Sequence, residues 1–135
     1  DIFRFEGIND SQSIDEVYDS AINALENDDL ENAKKLLDFF LINFPDAERI
    51  PLVLFWLGEI SFINGDIDDS LIYFLELVSN HEDHWRAPQS HKRLGDIYLS
   101  KDDLDNAKAK YNFVLKNYPN NSVSSIVLQI LENME

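Results

Sequence analysis

Cysteine is absent from the 135-residue chain. That excludes a disulfide framework, a thiolate nucleophile and any Cys-ligated zinc site. Glycine and proline are scarce, with 4 of each, too few for a disordered or low-complexity chain. Basic residues are scarce as well: 11 Lys and Arg stand against 26 Asp and Glu, a net charge of −15. Such a surface repels phosphate backbones, and the tightest basic cluster, Lys101, Lys108 and Lys110, is interleaved with aspartates. Nucleic acid is therefore excluded as a partner, and an anionic membrane surface is repelled for the same reason. Basic protein partners are favoured, with fast, salt-sensitive association. Long apolar runs are missing too. The most apolar stretch, "IPLVLFWLGEISFI" at 50–63, is too short to span a bilayer and contains Glu59, so direct membrane insertion is not expected. No nucleophile–base pair, Gly-rich phosphate loop or defined pair of carboxylates emerges, and the chain reads as non-enzymatic with no cofactor. It begins at Asp1 rather than Met, the expected start of a processed or excised piece.

What the chain does contain is a repeated phrase. "DDLENAKK" at 28–35 returns as "DDLDNAKA" at 102–109, and "GDIDDSLI" at 65–72 stands halfway, at an offset of 37 residues. The apolar positions align in threes: Leu30, Ile67 and Leu104; Leu37, Phe74 and Tyr111; Phe40, Leu77 and Val114. Ala33, Ser70 and Ala107 align as small residues. A fixed period of this size, with apolar positions kept and polar ones free, marks stacked supersecondary units.

Within each unit the periodicity is helical. Ile14, Val17, Tyr18, Ala21, Ile22 and Leu25 form one apolar stripe, and Ser13 with Glu16 predicts a capping box at its start. Asp29 is placed to cap a second helix running to about Asn43. Pro51 and Pro88, 37 apart, suit the first turns of helices three and five, and Gly65 suits a left-handed helix end. Helices four, five and six are expected at about 67–80, 87–100 and 104–117. Ser122 is expected to cap a last one, and the aspartates of "GDIDDS" to cap helix four rather than hold calcium. The small positions call for close helix approach: Gly58 and Gly95 midway along first helices, Ala33, Ser70 and Ala107 on second ones. A mid-helix glycine costs about 1 kcal/mol relative to alanine and needs such a reason. Leu37, Phe74 and Tyr111 are expected to fill space between adjacent hairpins.

These residues resemble tetratricopeptide repeats, with Leu-Gly on the first helix (Leu94, Gly95), a small residue then an aromatic on the second (Ala107, Tyr111), and a closing Pro119. The resemblance implies an all-α, right-handed solenoid of three helix hairpins of period 37 plus a C-terminal capping helix. Residues 1–12 are read as a tail or linker remnant and 13–135 as the repeat domain, with repeats at about 15–46, 51–83 and 88–120 and the cap at 122–134. The lengthened connector around Glu48-Arg49-Ile50, with Ala87-Pro88 and Trp56-Leu57-Gly58, is similar to the repeat domain of the periplasmic Tol–Pal-associated family that coordinates cell division. That similarity implies a periplasmic scaffold of the cell envelope. Outer-membrane assembly lipoproteins, or a secretion adaptor, are the alternative. A self-associating structural module that buries 50–63 against another copy is an alternative of a different class.

By the same resemblance, first helices line the concave face. The groove residues carried over are Asp15, Tyr18, Ile22 and Leu25 from the first repeat; Phe55, Glu59 and Phe62 from the second; and Lys92, Asp96 and Leu99 from the third. The expected ligand is an extended or helical partner segment with apolar and basic residues, the charged members Glu59 and Asp96 being expected to stay solvated. Against this, Phe55 can equally pack between helices. His81, His84 and His91 with Glu82 and Asp83 are the one metal-like constellation, but His-x-x-His across a helix end lacks a second rigid element, so no metal is expected. His81 stands in register with Phe44 and Tyr118 and reads as their replacement. Trp85 is either a partner anchor or a plug between hairpins.

Overall fold

A computed structural model describes residues 11–135, with side chains from Ser13 onward. The described residues form seven α-helices and no strand: α1 (Ser11–Glu26), α2 (Leu30–Asn43), α3 (Ile50–Ile63), α4 (Ile67–Asn80), α5 (Ala87–Ser100), α6 (Leu104–Asn117) and α7 (Ser122–Asn133). Packing is between neighbours in sequence: α1 with α2, α3 with α4 and α5 with α6 as antiparallel hairpins, each hairpin against the next, and α7 against α6 and α5. The expected tail at 1–12 lies outside the described residues except for its last two positions, which belong to α1.

The period of 37 is written into the backbone. Asp28, Gly65 and Asp102, spaced by 37, all have positive φ (60°, 80° and 58°). Each ends a first helix in the left-handed conformation that glycine adopts freely and aspartate tolerates. The residue after each donates its N–H back across the turn, Asp29 to Ala24 O, Asp66 to Ser61 O and Asp103 to Tyr98 O, at 2.8–2.9 Å. Asp29 and Asp103 then cap α2 and α6, their carboxylates accepting from Asn32 N and Asn106 N. Asp66 occupies the same place before α4 without a side-chain bond, so the capping expected of "GDIDDS" is positional only.

Two further caps differ from expectation. Ser13 and Glu16 lie inside α1, which is already helical at Ser11, so they form no capping box. α7 is capped by Asn121, whose side chain accepts from Val123 N, and Ser122 is its first helical residue.

The apolar stripes meet in a core running through the hairpins, with Val17, Leu37, Phe40, Leu54, Leu57, Phe74, Leu77, Leu94 and Ile97 fully buried, continuing into Ala107, Tyr111, Val114 and Val127. The two mid-helix glycines are notches. A Cβ at Gly58 would lie 2.6 Å from the Phe74 ring, and one at Gly95 2.4 Å from the Tyr111 ring. Phe74 and Tyr111 therefore fill space inside their own hairpins rather than between adjacent ones. The first hairpin has Ala21 and Leu37 at the equivalent positions, both fully buried. A side chain narrower than a ring faces a wider neighbour, so the departure from Leu-Gly there is a matched pair of changes.

Candidate functional site

Side chains of α1, α3, α5 and α7 share one face of the array, and arginines tie successive helices together across it. The helices that carry them begin with the same connector. Phe44, His81 and Tyr118 close α2, α4 and α6 with equivalent backbone bonds, and Ala47, His84 and Asn121 make equivalent turns. His84 Nδ1 accepts the N–H of Arg86 as Asn121 Oδ1 accepts that of Val123. Arg49 and Arg86 then sit at the N-caps of α3 and α5, where a cation is disfavoured by the helix dipole. Each is held instead by rings of the preceding first helix, joined at Arg86 by Trp85 of the connector. The Arg49 guanidinium lies 4.6 Å from the Tyr18 ring centre, and that of Arg86 lies 4.4 Å from Phe55, 4.4 Å from Trp85 and 5.3 Å from Trp56. Cation–π contacts of this kind contribute about 0.5–2 kcal/mol each, more where water is excluded.

Further along the face, Arg93 of α5 grips Glu59 of α3 with a two-pronged bond (Nε–Oε1 2.7 Å, Nη2–Oε2 2.9 Å), donates to Asp96 Oδ2 at 2.9 Å and covers the Phe62 ring at 4.5 Å. Lys92 Nζ is 2.7 Å from the same Asp96 oxygen, and the Tyr111 hydroxyl donates to Asp96 Oδ1 at 2.6 Å from behind. Burial, reinforced by the Asp96 carboxylate, pushes the Tyr111 phenol far up. A cavity of about 160 Å³ opens beside this network, lined by Phe55, Glu59, Gln89, Lys92, Arg93, Val123 and Ile126.

Of the ten residues expected along the groove, Lys92 is half-buried and paired with Asp96, and the other nine fall as follows. Asp15 is exposed and pairs with Arg49 Nε at 3.4 Å. Tyr18 and Phe55 are buried, Phe55 to 5% exposure, with their rings against the arginines. Ile22, Leu25, Phe62 and Leu99 are half-buried and packed on the core. Glu59 and Asp96 are not solvated: their side chains are 20% and 14% exposed and both are paired. What the sequence reading missed is Arg49, Arg86 and Arg93, and the α7 residues Val123 and Ile126. The signal was present, since Arg49 and Arg86 are 37 apart and each follows an aromatic by 31 positions.

The histidines do not converge. His81 is the C-cap of α4 and His84 braces the connector. His91 is buried in α5, its ring 4.3 Å from that of Phe113. Burial, with a smaller push from Lys110, lowers the His91 pKa to about 4. Among the described residues no three His, Asp or Glu are grouped as metal ligands, and no helix is long and apolar enough to cross a membrane. Trp85 is 60% exposed, so it does not plug the hairpins.

A family described as a tetratricopeptide repeat-like domain matches residues 18–135. No curated protein matches the chain significantly. Solved structures do. The type III secretion translocator chaperone SycD of Yersinia enterocolitica superposes with a TM-score of 0.75 over 92% of this chain and 91% of its own, at 17% identity. A tetratricopeptide repeat protein of Parabacteroides merdae gives 0.73 at 20% identity, over 90% of this chain and 48% of its own. A structure of the CopN–Scc3 complex gives 0.76 at 13% identity, over 90% and 70%. At these identities the likeness is one of fold.

Proposed function

The chain belongs to the tetratricopeptide repeat-like domain family, and from that premise we propose that it is a non-catalytic scaffold that binds a segment of a protein partner along the α1–α3–α5–α7 face. The observation that carries this is the cavity between α3, α5 and α7, where apolar Phe55, Val123 and Ile126 meet the fixed charges of Glu59, Lys92 and Arg93. Ile126 is 53% exposed there, an apolar surface at the mouth of a pre-formed depression, which is what a peptide anchor uses. The similarity of the connector to the Tol–Pal-associated repeat domain supports a periplasmic, cell-envelope setting with a role in division. The secretion-adaptor reading draws support from the folds of SycD and the CopN–Scc3 complex, whose names describe a chaperone and an assembly.

The test is display selection of random dodecapeptides on the chain, followed by calorimetry of the selected sequences. Phe62→Ala and Ile126→Ser should weaken binding about tenfold, mainly through faster dissociation. Ile42→Ser and Ile72→Ser, at exposed positions of α2 and α4, should leave it unchanged. The opposite pattern would move the site to the second helices.

A further inference from the structure

The connectors into α3, α5 and α7 make equivalent turns, but a different side chain braces each. In the last, the Asn121 amide oxygen accepts the Val123 N–H at 2.9 Å. In the second, the same bond is made by His84, whose Nδ1 accepts the Arg86 N–H at 3.0 Å. The first has Ala47 at this position, whose methyl group accepts nothing. An amide oxygen accepts at any ordinary pH. An imidazole nitrogen accepts only while unprotonated, so the bond fixes His84 as the neutral form with its proton on Nε2.

Protonation puts a hydrogen on Nδ1 facing that of the Arg86 N–H, two donors with no acceptor between them. The bond is lost and the ring has to turn away. That movement reaches beyond the connector, because the His84 ring stacks on Trp85, with centres 5.5 Å apart and planes at 28°. The Arg86 guanidinium lies 4.4 Å from the same Trp85 ring and 4.4 Å from Phe55. Phe55, with Gln89 of the first turn of α5, lines the cavity between α3, α5 and α7. One imidazole thus supports both the backbone and the ring stack behind that cavity wall.

The charged and titratable groups around the ring are His81, Glu82 and Asp83 in the same cleft and Arg86 beyond the turn. Among the described residues, α3 and α4 line this cleft with uncharged groups only. Burial first, then His81 and Arg86, hold the His84 pKa below its ordinary 6.5. The bond to Arg86 is therefore intact at neutral pH and gives way on acidification.

Resting on the peptide-binding reading above, we infer that His84 is a proton-operated brace of the binding cavity. Neutral, it holds the connector, Trp85 and Arg86 in the arrangement that a partner segment binds. Protonated, it releases them and weakens the partner's hold. By reciprocity, a bound partner makes His84 harder to protonate.

Amide exchange at two residues of the unaltered protein tests the brace. With intrinsic rates divided out, protection of the Arg86 N–H should fall about tenfold as the His84 ring resonances titrate. Val123, held by Asn121, should keep its protection. A flat Arg86, or an equal fall at Val123, would overturn the brace. The partner arm uses a dodecapeptide from the selection that contains no histidine. Its affinity should drop about five- to tenfold once His84 is protonated. Its addition should lower the His84 midpoint by up to about one pH unit, the logarithm of that change. His84→Asn, which copies Asn121, should remove the pH dependence, and His84→Ala, which copies Ala47, should bind weakly at every pH. A pH dependence that survives His84→Asn, or a His84 midpoint unmoved by the peptide, would overturn the regulation and leave the groove standing. Peptides indifferent to Phe62→Ala and Ile126→Ser would overturn the groove itself, while Arg86 exchange still decides the brace.

Discussion

In the second hairpin the Phe74 ring lies over Gly58, and in the third the Tyr111 ring lies over Gly95. The steric solution is shared, but the polar surroundings are not. Behind Phe74 the small residue is Ser70, whose hydroxyl donates to Gly58 O at 2.8 Å; behind Tyr111 it is Ala107. Leu54 fills the fully buried position of the second hairpin at which the third has His91. Phe74 ends in hydrocarbon, whereas the Tyr111 hydroxyl passes through the helix pair and holds Asp96 on the first-helix face. The third hairpin thus connects its core to the face by a side chain, and the second does not. Close packing fixes the ring's place in both, and the polar tail decides whether core and face are mechanically linked.

The most severe way to break the shared solution is to charge the small position. Ala107 is fully buried in the α5–α6 contact, so Ala107→Glu places a carboxylate with no partner in the interior. The expected loss is about 3–5 kcal/mol of stability, read as a fall in the urea midpoint. A midpoint near the parent's would mean that α6 can rotate this face outward.

Gly95→Ala comes next, because its Cβ would meet three Tyr111 ring atoms at 2.4–2.8 Å. The ring cannot withdraw while its hydroxyl is bound to Asp96, so overpacking should outweigh the gain in helix propensity and cost about 2–3 kcal/mol. Gly58→Ala, against the untethered Phe74, should cost less. Gly95→Ala with Tyr111→Leu reproduces the Ala21–Leu37 pair of the first hairpin. A double-mutant cycle should show favourable coupling of about 1 kcal/mol or more. Simple additivity would show that the notch is not steric.

His91→Leu copies Leu54 and isolates the pH response. The folded pKa of about 4 lies below the ordinary 6.5, so on acidification the unfolded chain takes the proton first. Stability from this site is complete above pH 6.5, is lost as pH falls from 6.5 to about 4, and is flat below. The variant lacks that slope and should exceed the parent by about 2 kcal/mol at pH 5, with a smaller difference at pH 8. Parallel curves for the two proteins across this window would show that His91 charges freely in the folded state.

How much of this was legible in the sequence depends on the kind of contact. Helix limits were legible to within a residue or two, because proline, glycine and aspartate act through local backbone geometry that repeats every 37 residues. The glycine notches were legible as small residues in need of a neighbour. Their rings were assigned to the wrong interface, since periodicity gives the face of a helix but not which of two flanking helices it meets. Glu59 and Asp96 were placed on the correct helices and read as solvated. Their partners Arg93 and Lys92 lie 34 residues away or one turn along, and a charge count cannot reveal such pairing. Arg86 was overlooked because a cation at a helix N-cap runs against the dipole, and only the surrounding rings explain its presence.

The finest distinction between the two hairpins is one oxygen atom, and Tyr111→Phe removes it. The ring remains over Gly95 and the packing is that of Phe74. Asp96 keeps Lys92 and Arg93 on its other oxygen, and at 14% exposure the freed oxygen is within reach of water. The loss should therefore be modest, about 1 kcal/mol, below the range for removing the sole partner of a buried charge. The change in the urea midpoint should come with an unaltered slope, since no extra surface is exposed. The more discriminating measurement repeats Gly95→Ala in the Tyr111→Phe background. With the tether gone, the ring can slide as Phe74 can, and the cost of the added methyl should fall to that of Gly58→Ala. If instead the cost stays at its value in the parent, the hydroxyl bond does not hold the ring, and core and first-helix face are linked only through the backbone of α5.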